Sequence, residues 1–206
     1  LEWSDSGVDG AHRFLKRLWK QAFDHLQTSG DVVALDTTAL TDEQQALRRK
    51  VHETIQKVSD DVERRQTFNT AIAAVMELSN AIGKFVDVSE QGRAVSQEAL
   101  QTAVQLLAPI VPHITHELWT ALGQKGDILT APWPQVDESA LVRTSIEMVV
   151  QVNGKVRAKI NVAADADKDV ILHTALAEEN VQKHMADKSI RKQIVVPGKL
   201  VNIVVG

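Results

Sequence analysis

One change of period governs what this chain can become. Up to about residue 144, apolar residues recur every three or four positions; from Ile146 onward they recur every second position. Side-chain directions repeat at about 3.6 residues on a helix and 2 on a strand, so neither part can take the other's structure. The sequence therefore predicts an all-α helical bundle followed by a small α+β domain. Their expected limits are 1–134 for the bundle, 135–144 for a linker and 145–206 for the second domain.

Within the first part, Ala11, Phe14, Leu15, Leu18, Trp19, Ala22 and Leu26 form a helical stripe that ends before Gly30. Thr41-Asp42-Glu43-Gln44 has the pattern of a capping box and opens a helix with Leu47, Val51, Ile55, Val58 and Val62 inward. Thr67 reads as the N-cap of a third helix reaching about Phe85. Its apolar face is expected at Phe68, Ile72, Val75, Met76 and Ser79, with Ala71, Ala73 and Ala74 small enough for a close neighbour. A fourth helix runs through Ala99, Ala103, Leu106 and Leu107 and stops at Pro109. A short fifth starts near Pro112 and ends by Gly123. Five antiparallel helices with short connections make a bundle. The segment 124–144, with Pro132-Trp133-Pro134 extended, reads as an exit strap and linker.

In the second part Ile146, Met148, Val150 and Val152 alternate with Glu147, Val149 and Gln151, and Asn153-Gly154 supplies the two positive-φ residues of a type I′ hairpin turn. On the return strand Val156, Ala158, Ile160 and Val162 are expected on one face and Lys155, Arg157 and Lys159 on the other. Asp165 or Asp167 caps a helix carrying Val170, Ile171 and Leu176, with further helix around Val181 and Met185. Residues 190–196 and 200–205 form a second hairpin across Pro197-Gly198, which suits a type II turn. The result is two β-hairpins with a helical insert.

Composition excludes several functions. There is no Cys, hence no disulfide and no thiolate metal site. No apolar run approaches the roughly 20 residues of a membrane span, and the first residues are unlike a signal peptide, so a soluble, cytoplasmic protein with no membrane partner is expected. The chain starts Leu1-Glu2-Trp3 without Met and is read as a piece of a longer polypeptide. Glycine-rich phosphate loops, serine-nucleophile elbows and dinucleotide fingerprints do not occur, so no catalytic or cofactor-binding residue is assigned. His113 and His116 have a spacing that can hold zinc, but no third ligand is indicated and a packing or helix-end role is favoured.

Cations carry the best chemical signal. The net charge is −4, yet residues 1–144 hold 14 Lys and Arg against 20 Asp and Glu (−6), while 145–206 hold 9 against 7 (+2). Alternate strand residues lie about 6.6 Å apart, so Lys155, Arg157 and Lys159 are expected as a straight row, extended by Arg191, Lys192 and Lys199 of the neighbouring hairpin. The competing reading is an ordinary solvated sheet face guarded by Lys against edge pairing. All four Trp and all four Phe precede residue 134, mostly on positions expected to face inward, and there is no Tyr. The second domain thus has no platform for stacking bases, and contact with a folded RNA's backbone is the expected mode. In the bundle, Asn69 lies beside the paired cations Arg64 and Arg65.

Several motifs, taken in order, resemble one family. Arg64-Arg65-Gln66-Thr67-Phe68-Asn69-Thr70-Ala71-Ile72-Ala73 resembles the start of a core helix in the tRNA-binding bundle of class I aminoacyl-tRNA synthetases. Gly7-Val8-Asp9-Gly10-Ala11-His12-Arg13-Phe14-Leu15 resembles that bundle's first helix. Leu107-Ala108-Pro109-Ile110-Val111-Pro112-His113 with Glu117-Leu118-Trp119 resembles its last, and Ala131-Pro132-Trp133-Pro134 its exit. Val150-Gln151-Val152-Asn153-Gly154-Lys155-Val156-Arg157 together with Val196-Pro197-Gly198-Lys199-Leu200 is similar to the bacterial leucyl-tRNA synthetases.

The resemblance implies a C-terminal fragment whose parent joins leucine to its tRNA with ATP. Catalytic and editing domains would lie N-terminal to Leu1, since the His-x-Gly-His and Lys-Met-Ser-Lys-Ser signatures are missing here. Leucine tRNA is the implied partner, the protein is expected to be a monomer, and the fragment alone is expected to be non-catalytic. The second domain would touch the outer corner of the tRNA, through Lys155, Arg157, Lys159, Arg191, Lys192 and Lys199; in the bundle Arg64, Arg65 and Asn69 are the candidates. Valyl- or isoleucyl-type synthetases, a free-standing RNA-binding module and a helical protein-interaction adaptor are the alternatives.

Overall fold

A computed structural model describes residues 5–28, 31–142, 145–185 and 188–206. They fall into two units, divided between Leu141 and Val142. Leu1-Glu2-Trp3 and the glycine expected to end the first helix, Gly30, lie outside the described residues.

The first unit contains α1 (Asp5–Gln27), α2 (Asp42–Ser59), α3 (Phe68–Lys84), α4 (Glu90–Leu107), α5 (Pro112–Ala121) and the single turn α6 (Glu138–Leu141). α2 packs on both α3 and α4. Leu18, Val51, Val75, Leu78, Leu100 and Val104 are almost wholly shielded in the core. The expected capping box is formed: Gln44 N–H donates to Thr41 Oγ1 at 3.3 Å and Thr41 N–H to Gln44 Oε1 at 2.9 Å. Ser89 caps α4 through Gly92 N–H, and Pro112 occupies the first turn of α5, where its missing N–H costs nothing.

Two helical faces differ from the sequence reading. On α1 the buried row is Phe14, Leu18 and Ala22, and Trp19 and Leu26, expected inward, are each 43% exposed. Trp19 follows Leu18 and so stands about 100° round the helix from it. On α3 the shielded residues are Ala71, Ala74, Val75, Leu78, Ser79 and Ile82, and Phe68 is 49% exposed. The alanine side, which permits the closest helix approach, is the inward one. Thr67 precedes α3, but its hydroxyl donates to Asp61 Oδ1 at 3.2 Å instead of capping the helix.

The reason lies in a π-helical turn, Asp60–Arg65, that continues α2 and ends at Gln66 with φ +52°. Thr67 N–H reaches back six residues to the Asp61 carbonyl at 2.9 Å. The buried Asp61 carboxylate accepts from Lys57 Nζ at 2.6 Å, and that ammonium holds its pKa below the ordinary carboxylate range. The widened turn therefore rests on one buried acid.

The exit strap is fastened to the bundle. Ile128 lies in the core, and Trp133 Nε1–H donates to Ser59 Oγ at 2.8 Å. Residues 135–141, expected within a linker, are tied to α2. Arg48 Nη2 donates to Asp137 Oδ2 at 2.6 Å, and Asp137 N–H donates to His52 Nδ1 at 3.1 Å. Because Nδ1 accepts, the His52 proton belongs on Nε2, which faces Glu98 Oε1 at 3.3 Å. Residues 143 and 144, the end of that expected linker, lie outside the described residues.

The second unit is a four-stranded sheet with β1 (Ser145–Val152), β2 (Lys155–Ala163), β3 (Ile190–Val196) and β4 (Leu200–Val205) in the order β2-β1-β4-β3. Both expected hairpins form, joined by parallel pairing of β1 with β4. Helices α7 (Lys168–Ala177) and α8 (Glu179–Met185) add Ile171, Leu172, Ala175 and Val181 to a core shared with Met148, Val150, Ile160, Val201 and Ile203. Asp167 caps α7 through the N–H groups of Asp169 and Val170. Asn153 (φ +49°) and Gly154 (φ +77°) make the two-residue turn. Asn153 does more than turn the chain. Its Oδ1 accepts from Val205 N–H at 2.9 Å and its Nδ2 donates to Val205 O at 3.1 Å, so the side-chain amide prolongs the β1–β4 ladder.

Candidate nucleic-acid interface

The expected cation row on β2 is interrupted. In the β1–β2 register Ala158 faces Val150 and Lys159 faces Val149, but Gln151 faces Val156 and Val152 faces Lys155. Arg157 is the unpaired residue of a β-bulge, and side-chain alternation reverses across it. Val156, expected in the core, is 58% exposed, while Arg157 is half-buried with its Nε shielded from water and without a partner. Asn180 at the start of α8 donates to the Arg157 carbonyl at 2.6 Å, which ties the bulge to that helix. The straight row of Lys155, Arg157 and Lys159 is thus corrected to three cations with separate settings. Lys155 is exposed beside the turn, Arg157 sits at the bulge, and Lys159 is paired to Glu147 Oε1 at 2.8 Å.

The neighbouring hairpin does not extend them. β2 and β3 are opposite edges of the sheet, three inter-strand steps apart, or about 14 Å at the usual spacing. Arg191 is the extra residue of a second bulge, between the pairs Ile190–Val205 and Lys192–Val204, with its guanidinium close to Gly206. Lys192 lies towards the Asn153 end of the sheet, and Lys199 follows Gly198 (φ +69°) in the turn at the other end. All three are exposed, and Lys155, Lys192 and Lys199 have no carboxylate partner among the described residues. The second unit offers dispersed cations, not a stripe.

In the bundle, Arg64 and Arg65 both bind Asp60, at 3.1 Å to Oδ1 and Oδ2 respectively. Lys57, Arg64 and Arg65 stand against Asp60, Asp61 and Glu63, so this corner carries three charges of each sign. Asn69 is exposed in the first turn of α3 and lines a shallow concavity with Gln66, Phe68 and Thr70. Arg64 and Arg65 spend their charge on Asp60, and neither lines the concavity that holds Asn69. His113 is exposed, and His116 Nδ1 lies 3.5 Å from Asp127 Oδ1.

Against this geometry stand the comparisons with known proteins. The family described as "Anticodon-binding domain of tRNA ligase" matches residues 44–172, well over half of the chain. The chain belongs to this family. The match crosses the division at residue 141 and takes in β1 and β2. The chain is 62% identical over 205 residues to a leucine–tRNA ligase of Thioalkalivibrio sulfidiphilus and 63% identical over 204 to that of Chromohalobacter salexigens. These alignments take in 100% and 99% of the chain and 25% and 24% of the relatives, so the chain spans about a quarter of the length of the curated relatives it matches. Among solved structures it is similar to the protein of an Agrobacterium radiobacter K84 LeuRS–tRNA–LeuAMS ternary complex. There the TM-score is 0.70 and the identity 30%, covering 100% of this chain and 27% of the other.

Proposed function

We propose that this chain is the tRNA-binding C-terminal part of a leucine–tRNA ligase, a cytoplasmic monomer that joins leucine to its tRNA with ATP. Catalysis and editing belong to the remainder of that polypeptide, and the role of this part is to position the tRNA. The observation that carries the reading is identity above 60% to leucine–tRNA ligases along essentially the whole chain. Likeness to a protein solved together with tRNA supports it. No helix of the described residues is long and apolar enough to cross a membrane.

In this reading the sheet unit contacts the phosphate backbone at the tRNA's outer corner through Lys155, Arg157, Lys192 and Lys199, with Lys159 and Arg191 at the margins. Dispersed cations without an aromatic platform suit recognition of shape over base identity. Removing residues 142–206 from the full-length ligase tests it. Charging of leucine tRNA should fall by at least ten-fold, while leucine-dependent ATP–pyrophosphate exchange stays within two-fold of wild type. Equal losses in the two assays would mean that the unit supports the catalytic body and would overturn the reading.

A further inference from the structure

The Asn153-Gly154 turn has a covalent chemistry of its own. Asparagine is thermolabile because the backbone nitrogen of the next residue can attack its side-chain carbonyl carbon, and glycine, with no side chain, hinders that attack least. The chain has six asparagines, and Asn153 alone is followed by glycine; the others precede Thr70, Ala81, Val162, Val181 and Ile203. Both turn residues are exposed, so water reaches them. Crowding does not protect the pair either, since a Cβ added to Gly154 would meet nothing within 4 Å.

Hydrogen bonds hold each group that the attack requires. The side-chain amide must turn its face to the Gly154 nitrogen, that N–H must give up its proton, and the amide nitrogen must leave. The Asn153 amide is fastened at both ends to β4, with Oδ1 accepting from Val205 N–H at 2.9 Å and Nδ2 donating to Val205 O at 3.1 Å. Its backbone N–H donates to the Ile203 carbonyl at 2.9 Å. Gly154 N–H donates to Asn202 Oδ1 at 3.2 Å. Every one of these bonds runs from the turn to β4, so they are lost together when β1 and β4 part.

We infer that Asn153 is a covalent modification site, deamidated by its own chain, and that the closed sheet is the lock that prevents it. While β4 is in place, residue 153 stays Asn. When the pairing opens, Gly154 N bonds to Asn153 Cγ, the Cγ–Nδ2 bond breaks, and the side-chain nitrogen leaves as ammonia with the Gly154 proton. Water then opens the cyclic imide at either carbonyl, giving Asp or the isomer in which the chain runs through the side chain. Neither product restores the turn. A carboxylate has no hydrogen to donate to Val205 O, and the isomer adds a carbon to a loop whose length fixes the β1–β2 register. The fraction converted therefore counts past openings of the sheet unit. The site is independent of the tRNA-binding role proposed above.

The test incubates the full-length ligase at mildly alkaline pH, native and in guanidinium chloride. Each asparagine is followed by peptide mass spectrometry, and an isoaspartyl methyltransferase identifies the isomer. Conversion of residue 153 should be at least about ten-fold slower in the native protein than in denaturant, and in denaturant it should outrun the other five asparagines. Asn202→Ala frees the Gly154 N–H and should speed native conversion by about three-fold or more, whereas Asn202→Asp keeps an acceptor oxygen and should stay near wild type. Equal native and denatured rates at residue 153 would overturn the lock, as would an alanine variant with the wild-type rate or an aspartate variant as fast as alanine. Other asparagines converting as fast as Asn153 in denaturant would overturn its assignment as the site.

Discussion

Asn153 does two separable jobs, and two substitutions tell them apart. Its backbone sits at φ +49°, and its amide makes two hydrogen bonds to the backbone of Val205, a residue only 5% exposed. Each such bond contributes about 0.5–1.5 kcal/mol net, so losing both costs about 1–3 kcal/mol. A non-glycine residue without Asn's local hydrogen bonding adds about 1 kcal/mol for the left-handed backbone. Asn153→Gly should therefore destabilise the sheet unit by about 1–3 kcal/mol, and Asn153→Ala by about 2–4 kcal/mol. For a unit this small the Ala change corresponds to a melting shift of roughly 10–30 °C. The second unit has no Trp or Tyr to report its unfolding. Amide hydrogen exchange, followed by mass spectrometry on peptides covering β4, is the suitable assay in the intact chain. Protection of β4 should fall in the order wild type, Gly, Ala. If Gly matched wild type, the side-chain bonds would contribute nothing; if Ala matched Gly, the positive φ would carry no strain. Either result refutes the corresponding half of the reasoning.

Two further outcomes follow from the bundle. The Asp137 carboxyl is held well below the ordinary range, first by the Arg48 hydrogen bond and then by Ser139. With the folded-state pKa depressed, the strap's attachment is complete above the unfolded carboxylate pKa of about 4, weakens progressively below it, and is lost as pH falls through the depressed folded value. Exchange protection of residues 135–141 should decline across that acid range before the core opens; protection unchanged at pH 2 would contradict this. Gln66→Gly should be neutral or stabilise the bundle by up to about 1 kcal/mol, because φ +52° costs a side-chain-bearing residue more than glycine. A loss above 1 kcal/mol in urea unfolding would mean that the Gln66 side chain has a task of its own.

Local chemistry with few solutions was legible in the sequence. The capping box at Thr41, the Asn153-Gly154 and Pro197-Gly198 turns and the periods of α2 and α4 each follow from one short segment. What failed depended on distant partners. The row Lys155, Arg157, Lys159 presumes unbroken alternation, and the bulge that breaks it is fixed partly by Asn180, 23 residues away. No β2 pattern records that. The π-turn at Asp60–Arg65 rests on a buried Asp61 whose helical surroundings look like any charged surface stretch. Trp19 and Phe68 read as core because aromatic residues usually are, while the alanines of α3 took the inward side.

The sheet order also fixes a schedule for the chain as it is made. β1 and β4 pair in parallel from Val149 with Leu200, a separation of 51 residues. Once the β1–β2 hairpin has left the ribosome, its inner edge must wait for those residues. From Ala163, where the hairpin ends, to β4, at roughly 5–20 residues per second, that is about 2–8 s with unpaired N–H and C=O groups on an aliphatic strand. An open edge of that kind invites any other extended segment, so nascent chains, more than finished ones, are where this unit is exposed to mispairing. Slow codons between 164 and 199 would lengthen the interval, and a chaperone that shields strand edges would act within it.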